Sequence, residues 1–212
     1  MINLSKKSLL SEVAAYYSKK LTEHGQTPRG VDWNGEDSQT LRFEQLCKVV
    51  NTEDQFSIND LGCGYGALYD FLSQEYPTLS YSGVDISESM IQAAEHRYQG
   101  KTKAHFVVAS EPEQVADYGI ASGIFNVRLD RSDDEWQSYL EATIEVLDRT
   151  SRLGFSFNCL TAYSDAEKMR DYLYYADPCK LFDLCKRRYS RNVALLHDYG
   201  LYEFTILVRK EP

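Results

Sequence analysis

The sequence predicts an α/β fold, a mostly parallel sheet with helices on both faces. Three observations carry this. Strand-like and helix-like segments alternate from Ser57 onward; the stretch "INDLGCGYGALYDFL" passes from a strand through glycines into a helix; and two β-rich runs flank the turn "HDYG" near the C-terminus. Alternation of this kind implies parallel strands joined by right-handed crossovers, whose helices must cover the sheet. The closing hairpin adds one antiparallel strand.

In chain order, Ser8 to Leu21 has the apolar spacing of an amphipathic helix, and "TEHGQTPRGVDWNG" after it is a polar, Gly/Pro-rich loop. A second helix is expected from Ser38, opened by the cap-like "SQTL". The first strand is Ser57 to Leu61, and a helix runs from Ala67 to Gln74. "LSYSGVDIS" is the second strand, ending at Asp85, with Ser87 as N-cap of the next helix. "KAHFVVAS" is the third strand, "YGIASGIFNV" contains the fourth, "DDEWQSYLEATIEVLDRT" is a long amphipathic helix and "RLGFSFNCL" is the fifth strand. The first half of "TAYSDAEKMRDYLYYADPCKLFDLCKRRYS" is long for a plain connection and suits a binding loop, whereas its second half is a helix with Pro178 in the first turn.

At 212 residues, 43% apolar and 26% charged, the chain is sized for one larger globular domain. The net charge of -9 argues against a phosphate-gripping surface, so no nucleic acid is expected as partner. Cys47, Cys63, Cys159, Cys179 and Cys185 are odd in number, without a CxxC pair or histidines at ligand spacing, so reduced thiols in the cytoplasm and no metal are expected. The N-terminal stretch lacks a continuous apolar signal region, and no run approaches the ~18 apolar residues of a membrane span.

A strand, a glycine turn and a helix N-terminus present backbone N–H groups to a ligand at the C-terminal edge of the sheet. No Lys-Ser/Thr follows the glycines, which argues against a nucleoside triphosphate loop. Gly62, Gly64 and Ala67 satisfy a relaxed dinucleotide fingerprint, and Asp85 stands where a ribose hydroxyl would be held, so the glycines alone leave two ligand classes open. Asp60, two residues before the first glycine, suits a cationic amino group better than a pyrophosphate.

"DLGCGYG", "GVDIS" with "MIQAAEHR" after it, and the closing "LYEFTILVRK" resemble class I S-adenosylmethionine-dependent methyltransferases, the likeness running from about Gln55 to the C-terminus. The resemblance implies a Rossmann-like three-layer sandwich, with a seven-stranded sheet of order 3-2-1-4-5-7-6 and strand 7 antiparallel. It divides the chain into an N-terminal helical cap with a substrate loop (1–54) and a cofactor domain (55–212) carrying an insert at about 159–177. The implied cofactor is S-adenosyl-L-methionine. Asp60 and the backbone at Gly62, Cys63 and Gly64 would hold its methionine part, Asp85 its ribose, Ile86 and Ser110 its adenine. Asn126, at the end of the fourth strand, would touch cofactor and substrate. Arg42, on one helix face with Gln39, would pair with the cofactor carboxylate.

His197, closing the sixth strand just before the hairpin turn, and His24 in the N-terminal loop are the candidate general bases for a hydroxyl acceptor. Tyr16, Tyr17, Arg29, Trp33, Arg128 and Tyr163 are candidate substrate contacts, since aromatics suit a cationic cofactor and a planar or amine-bearing acceptor. No Asn/Asp-Pro-Pro-Tyr-like segment follows the fourth strand, and Cys159 after the fifth strand is not preceded by the proline that marks a pyrimidine-attacking nucleophile, in line with a small-molecule acceptor at O, N or C. Two rival readings are an NAD-type oxidoreductase and a non-catalytic adenosylmethionine-binding subunit that activates or scaffolds a partner; the chain itself is expected to be a monomer or homodimer.

Overall fold

The computed structural model describes residues 4–52 and 54–211. The chain runs α1 (Leu4–His24), a 3-10 turn (Pro28–Val31), α2 (Glu36–Cys47), β1 (Ser57–Leu61), α3 (Ala67–Glu75), β2 (Ser80–Asp85) and α4 (Glu88–Arg97). It continues through β3 (Ala104–Val108), β4 (Ala116–Ala121), α5 (Asp133–Arg149), β5 (Ser151–Leu160), a 3-10 turn (Ala166–Lys168), α6 (Pro178–Arg188), β6 (Asn192–Leu196) and β7 (Glu203–Arg209). The seven strands form one sheet of order β3-β2-β1-β4-β5-β7-β6. β7 is antiparallel to both β5 and β6, and the pairings from β3 to β5 are parallel.

The central strands are covered on both faces, so β1 and β4 are buried along almost their whole length. On one face Ile58, Tyr81, Tyr118 and Ile120 pack against Leu46 of α2, Leu72 of α3 and Ala94 of α4. On the other, Phe155, Phe157 and Phe204 meet Leu140, Ile144 and Leu147 of α5 and Cys185 of α6. Asn59 is a buried polar exception within β1. Its amide donates to the carbonyls of Gln114 (2.8 Å) and Thr150 (3.2 Å), so the connections before β4 and β5 are tied to the sheet at no cost in unsatisfied groups.

α5 opens with a reciprocal capping box between Ser132 and Glu135, and Trp136 in its first turn is fully buried, donating its indole N–H to the Phe125 carbonyl at 2.8 Å. α1 lies across the C-terminal edge of the sheet. Leu9 and Val13 pack on Trp136, with Tyr17, Ile86, Tyr139 and Tyr174 around them.

Three boundaries differ from the sequence expectation. α2 begins at Glu36 with Gly35 as N-cap, so "SQTL" lies inside the helix and does not cap it. β4 ends at Ala121, because Gly123 takes a φ of +76° and turns the chain out of the sheet. Asn126 is therefore five residues beyond the strand. β6 ends at Leu196, leaving His197 in the turn.

Candidate functional site

A cavity opens where the C-terminal ends of β1, β2 and β4 meet α1. Its floor is the glycine turn: Leu61, Gly62 and Gly64 on one side, Val84, Asp85 and Ile86 on the other. The turn needs glycine for reach as well as for dihedral angle. At Gly64 (φ +54°) a Cβ would stand 3.1 Å from Val31 Cγ1, and at Gly62 (φ +78°) 2.1 Å from Ile124 Cγ2.

Asp85 joins the two sides. Its Oδ2 accepts the Gly64 N–H at 2.9 Å and its Oδ1 the Ser87 N–H at 2.8 Å. Burial pushes its pKa up, against the opposing pull of N–H donors from Ser87, Gly64 and Ile86. Two carboxylate oxygens offer about four acceptor sites, so accepting capacity remains on the cavity side.

Ile86 and Ser110 line the cavity beside Asp85, as expected of an adenine end. Val31 and Trp33 close the opposite end against Gly123 and Ile124. Leu10, Val13 and Tyr17 of α1 form the roof, and burial pushes the Tyr17 hydroxyl far up. Tyr139, Thr143 and Val146 complete one wall from α5, the Tyr139 hydroxyl being pushed up to about 12 by burial.

Several expected contributors lie elsewhere. Asp60 is buried beneath the turn and is not on the cavity wall; its Oδ2 accepts the Tyr81 hydroxyl at 2.5 Å, while its Oδ1 has no partner. Cys63 is likewise buried, its thiol at 3.5 Å from the Gly64 carbonyl. Asn126 is a brace: its Oδ1 accepts the Leu160 N–H (3.2 Å) and its carbonyl the Tyr174 N–H (2.8 Å). Gln39 is buried next to the Tyr65 hydroxyl. Arg42, expected on a cofactor carboxylate, already has one in Glu203, with Nε at 2.8 Å and Nη2 at 2.7 Å.

Neither histidine reaches the cavity. His197 is exposed, with its ring between Tyr163 and Phe204, and His24 is exposed at the end of α1 beside Glu23. Tyr16 donates to Asp32 (2.7 Å), and Arg128 donates to the Leu173 carbonyl (3.2 Å) and to that of Arg131. Arg29 and Tyr163 are exposed off the cavity, Tyr163 at 69%. Of the six expected substrate contacts, Tyr17 and Trp33 are the two on the wall.

The sequence reading passed over Ser122, Tyr139 and Thr143. Ser122 lines the cavity with a buried hydroxyl that has no partner. The spacing of Tyr139, Thr143 and Val146 is that of one helical stripe, which reads as core until the strand ends beneath it are known.

The Asp60 geometry has a pH signature. Burial raises its pKa from 3.8 to about 7, outweighing the Tyr81 hydrogen bond. Between these values the folded state holds a proton that the unfolded state has released, so stability falls as pH rises toward 7 and levels off above it. Asp60→Asn removes this ionisation. Urea unfolding at pH 5 and pH 8 is expected to show a fall in the wild type about 3 kcal/mol larger than in the variant, from about 1.4 kcal/mol per unit over the roughly two units below 7. Equal falls would contradict a protonated Asp60.

Residues 58–150 match the family model described as a methyltransferase domain. The chain is 63% identical over 163 residues to a Mycobacterium tuberculosis (strain ATCC 25618 / H37Rv) protein named "Putative methyltransferase Rv1506c", covering 77% of this chain and 98% of that one. Its fold is similar to that of magnesium protoporphyrin IX methyltransferase (ChlM) from Synechocystis PCC 6803 with bound SAM: TM-score 0.65, 16% identity, 94% of this chain and 96% of that one. The DhpI–SAH complex gives a TM-score of 0.64 at 15% identity, over 96% of this chain and 98% of that one. With the strand order, the antiparallel β7 and the Asp85-bridged glycine turn, these likenesses place the chain in the class I S-adenosylmethionine-dependent methyltransferases.

Proposed function

We propose that the cavity binds adenosylmethionine with its ribose on Asp85, its adenine against Ile86 and Ser110, and its methionine part over Gly62 and Gly64, and that the methyl group passes to a small-molecule acceptor. The observation that carries this is Asp85, a buried carboxylate bonded to the glycine turn through the Gly64 N–H and facing a cavity with apolar walls. The orphaned Asp60 Oδ1 under the same turn suits an ordered water.

Bound adenosylmethionine supplies an electrophilic methyl on a sulfonium. The residues have three tasks around it. Asp85 orients the nucleoside end; Trp33, Val31 and Ile124 confine the other end; Leu10, Val13 and Tyr17 exclude water from above. Among the residues lining the cavity the one carboxylate is Asp85, and the remaining polar side chains are the hydroxyls of Tyr17, Tyr139, Ser110, Ser122 and Thr143 and the Trp33 indole. This composition supports catalysis by positioning and desolvation over catalysis by a dedicated histidine. It also favours a small, weakly charged acceptor.

The cavity offers about 90 Å³ to water, below the roughly 300–1,000 Å³ of small-molecule sites. Entry of a nucleoside therefore requires the roof to move outward. Besides the packing of Leu9 and Val13 on Trp136, α1 is held by exposed or partly buried polar ties: Arg131 to Glu12, Ser18 to Ser87 (2.9 Å), and Tyr16 and Lys20 to Asp32 (both 2.7 Å). Such ties are individually weak, about 0–1 kcal/mol for a surface ion pair. Of the N-terminal region, residues 4–33 are accordingly assigned to substrate enclosure, with the 159–177 segment beside them, while α2 belongs to the layer that covers the sheet.

Incubation with methyl-tritiated adenosylmethionine and a fractionated metabolite extract tests the acceptor class. Label is expected in the low-molecular-weight fraction. Label confined to added RNA or protein would contradict a small acceptor, and binding without transfer to any fraction would favour the non-catalytic subunit.

A further inference from the structure

Trp33 sits in a closed ring of contacts that ties the N-terminal loop to three strand ends. The Arg42 guanidinium lies over the indole, 3.9 Å from its centroid. On the indole's other contact, a Cβ on Gly123 would come within 2.3 Å of Trp33 Cζ2, so the ring rests on bare backbone. The Gly123 N–H donates to Asn158 Oδ1 (2.8 Å), the Asn158 amide donates to Glu203 Oε2 (2.6 Å), and Glu203 grips Arg42 in a fork of two hydrogen bonds. The third arm of Arg42 reaches the Ser38 carbonyl at 2.7 Å. Arg42, Glu203 and Asn158 are 5%, 2% and 0% exposed, which sets this clasp apart from the partly exposed ties of α1.

We propose that Trp33 is the fixed acceptor-side wall of the cavity and that Arg42, Glu203 and Asn158 are positioning residues that hold it, while α1 is the part of the enclosure that moves. The inference rests on the methyl-donor reading for the meaning of "acceptor side", and on the contacts alone for the clasp. A planar guanidinium can stack on an indole and chelate a carboxylate at once, whereas an ammonium keeps the charge and loses both the plane and the fork. Lysine at position 42 therefore separates holding Trp33 from neutralising Glu203. The same geometry commits Arg42's guanidinium to Glu203, Ser38 and Trp33, and gives the cofactor carboxylate no claim on it.

The test is acrylamide quenching of tryptophan emission in wild type, Trp33→Phe and Arg42→Lys, with calorimetric titration of adenosylhomocysteine and of methylthioadenosine, which lacks the amino-acid tail. Trp33→Phe isolates the emission of Trp136, the other tryptophan of the chain. In Arg42→Lys the Trp33 emission is expected to be quenched at least threefold more strongly, and the two nucleosides to lose affinity by similar factors. Wild-type shielding of Trp33 in the lysine variant would overturn the clasp. A loss of adenosylhomocysteine affinity at least tenfold greater than that of methylthioadenosine would also overturn it, by placing Arg42 on the carboxylate. If Arg42→Lys does not fold, Gly123→Ala pushes on the indole from the other side with the ion pair intact, and the same gain in quenching is expected. Wild type that binds neither nucleoside would overturn the methyl-donor reading and Trp33's role as acceptor wall, and quenching would still decide the clasp.

Discussion

Asp85→Asn is expected to lower the affinity for adenosylhomocysteine by about 100-fold. The carboxylate receives two backbone N–H groups, from Gly64 and Ser87, on separate oxygens. An asparagine keeps the shape and turns one of those oxygens into a donor, which then faces a donor. The amide must either rotate, leaving the glycine turn unbraced, or leave the cavity without a charged acceptor for two hydroxyls. A hydrogen bond to a charged group is worth about 1.5–3 kcal/mol, and a loss near 3 kcal/mol corresponds to roughly 100-fold in affinity. Titration calorimetry on the folded variant, with its melting curve alongside, checks this; a change below threefold would remove Asp85 from the ligand.

Arg42→Met is expected to destabilise the fold by about 3–5 kcal/mol, the usual cost of leaving one member of a buried ion pair without the other. Glu203 is 2% exposed and Asn158 offers it a single neutral donor, so its charge would be left with little compensation. Removing both charges is a different experiment, because a buried pair replaced by apolar groups is often neutral. Urea unfolding of Arg42→Met should show a lower midpoint at an unchanged slope, since the loss is of native interactions and not of cooperativity. A shift under 1 kcal/mol would mean that water reaches Glu203.

The frame of the fold was readable because its signals are local. Strand and helix periods, the glycine turn, the Ser87 cap and the Pro178 helix start each depend on a few consecutive residues, and apart from the start of α2 and the ends of β4 and β6 they lie where expected. Asp85 and Ile86 follow from their place at a strand end. The site's remaining contacts depend on long-range partners. Arg42 meets Glu203 across 161 positions, and nothing near Arg42 in the chain signals a buried carboxylate. Its cofactor role was inferred from a resemblance, and the geometry assigns it to Trp33 and Glu203. Asn126 was misjudged by one turn of chain, since the positive φ of Gly123 ends β4 early. The two histidines drew attention as chemically able residues, yet ability says nothing of where a loop carries a side chain. Tyr139 and Thr143 were hidden for the opposite reason, as ordinary positions on an amphipathic helix.

Among the described residues no helix is long and apolar enough to cross a membrane.

The most direct measurement of the central claim is calorimetric titration of the wild-type chain with adenosylhomocysteine and with NAD. Saturable one-to-one binding of adenosylhomocysteine with little or no heat from NAD is the predicted result. Binding of NAD with none of adenosylhomocysteine would contradict the assignment of the glycine turn and Asp85 to a methyl donor.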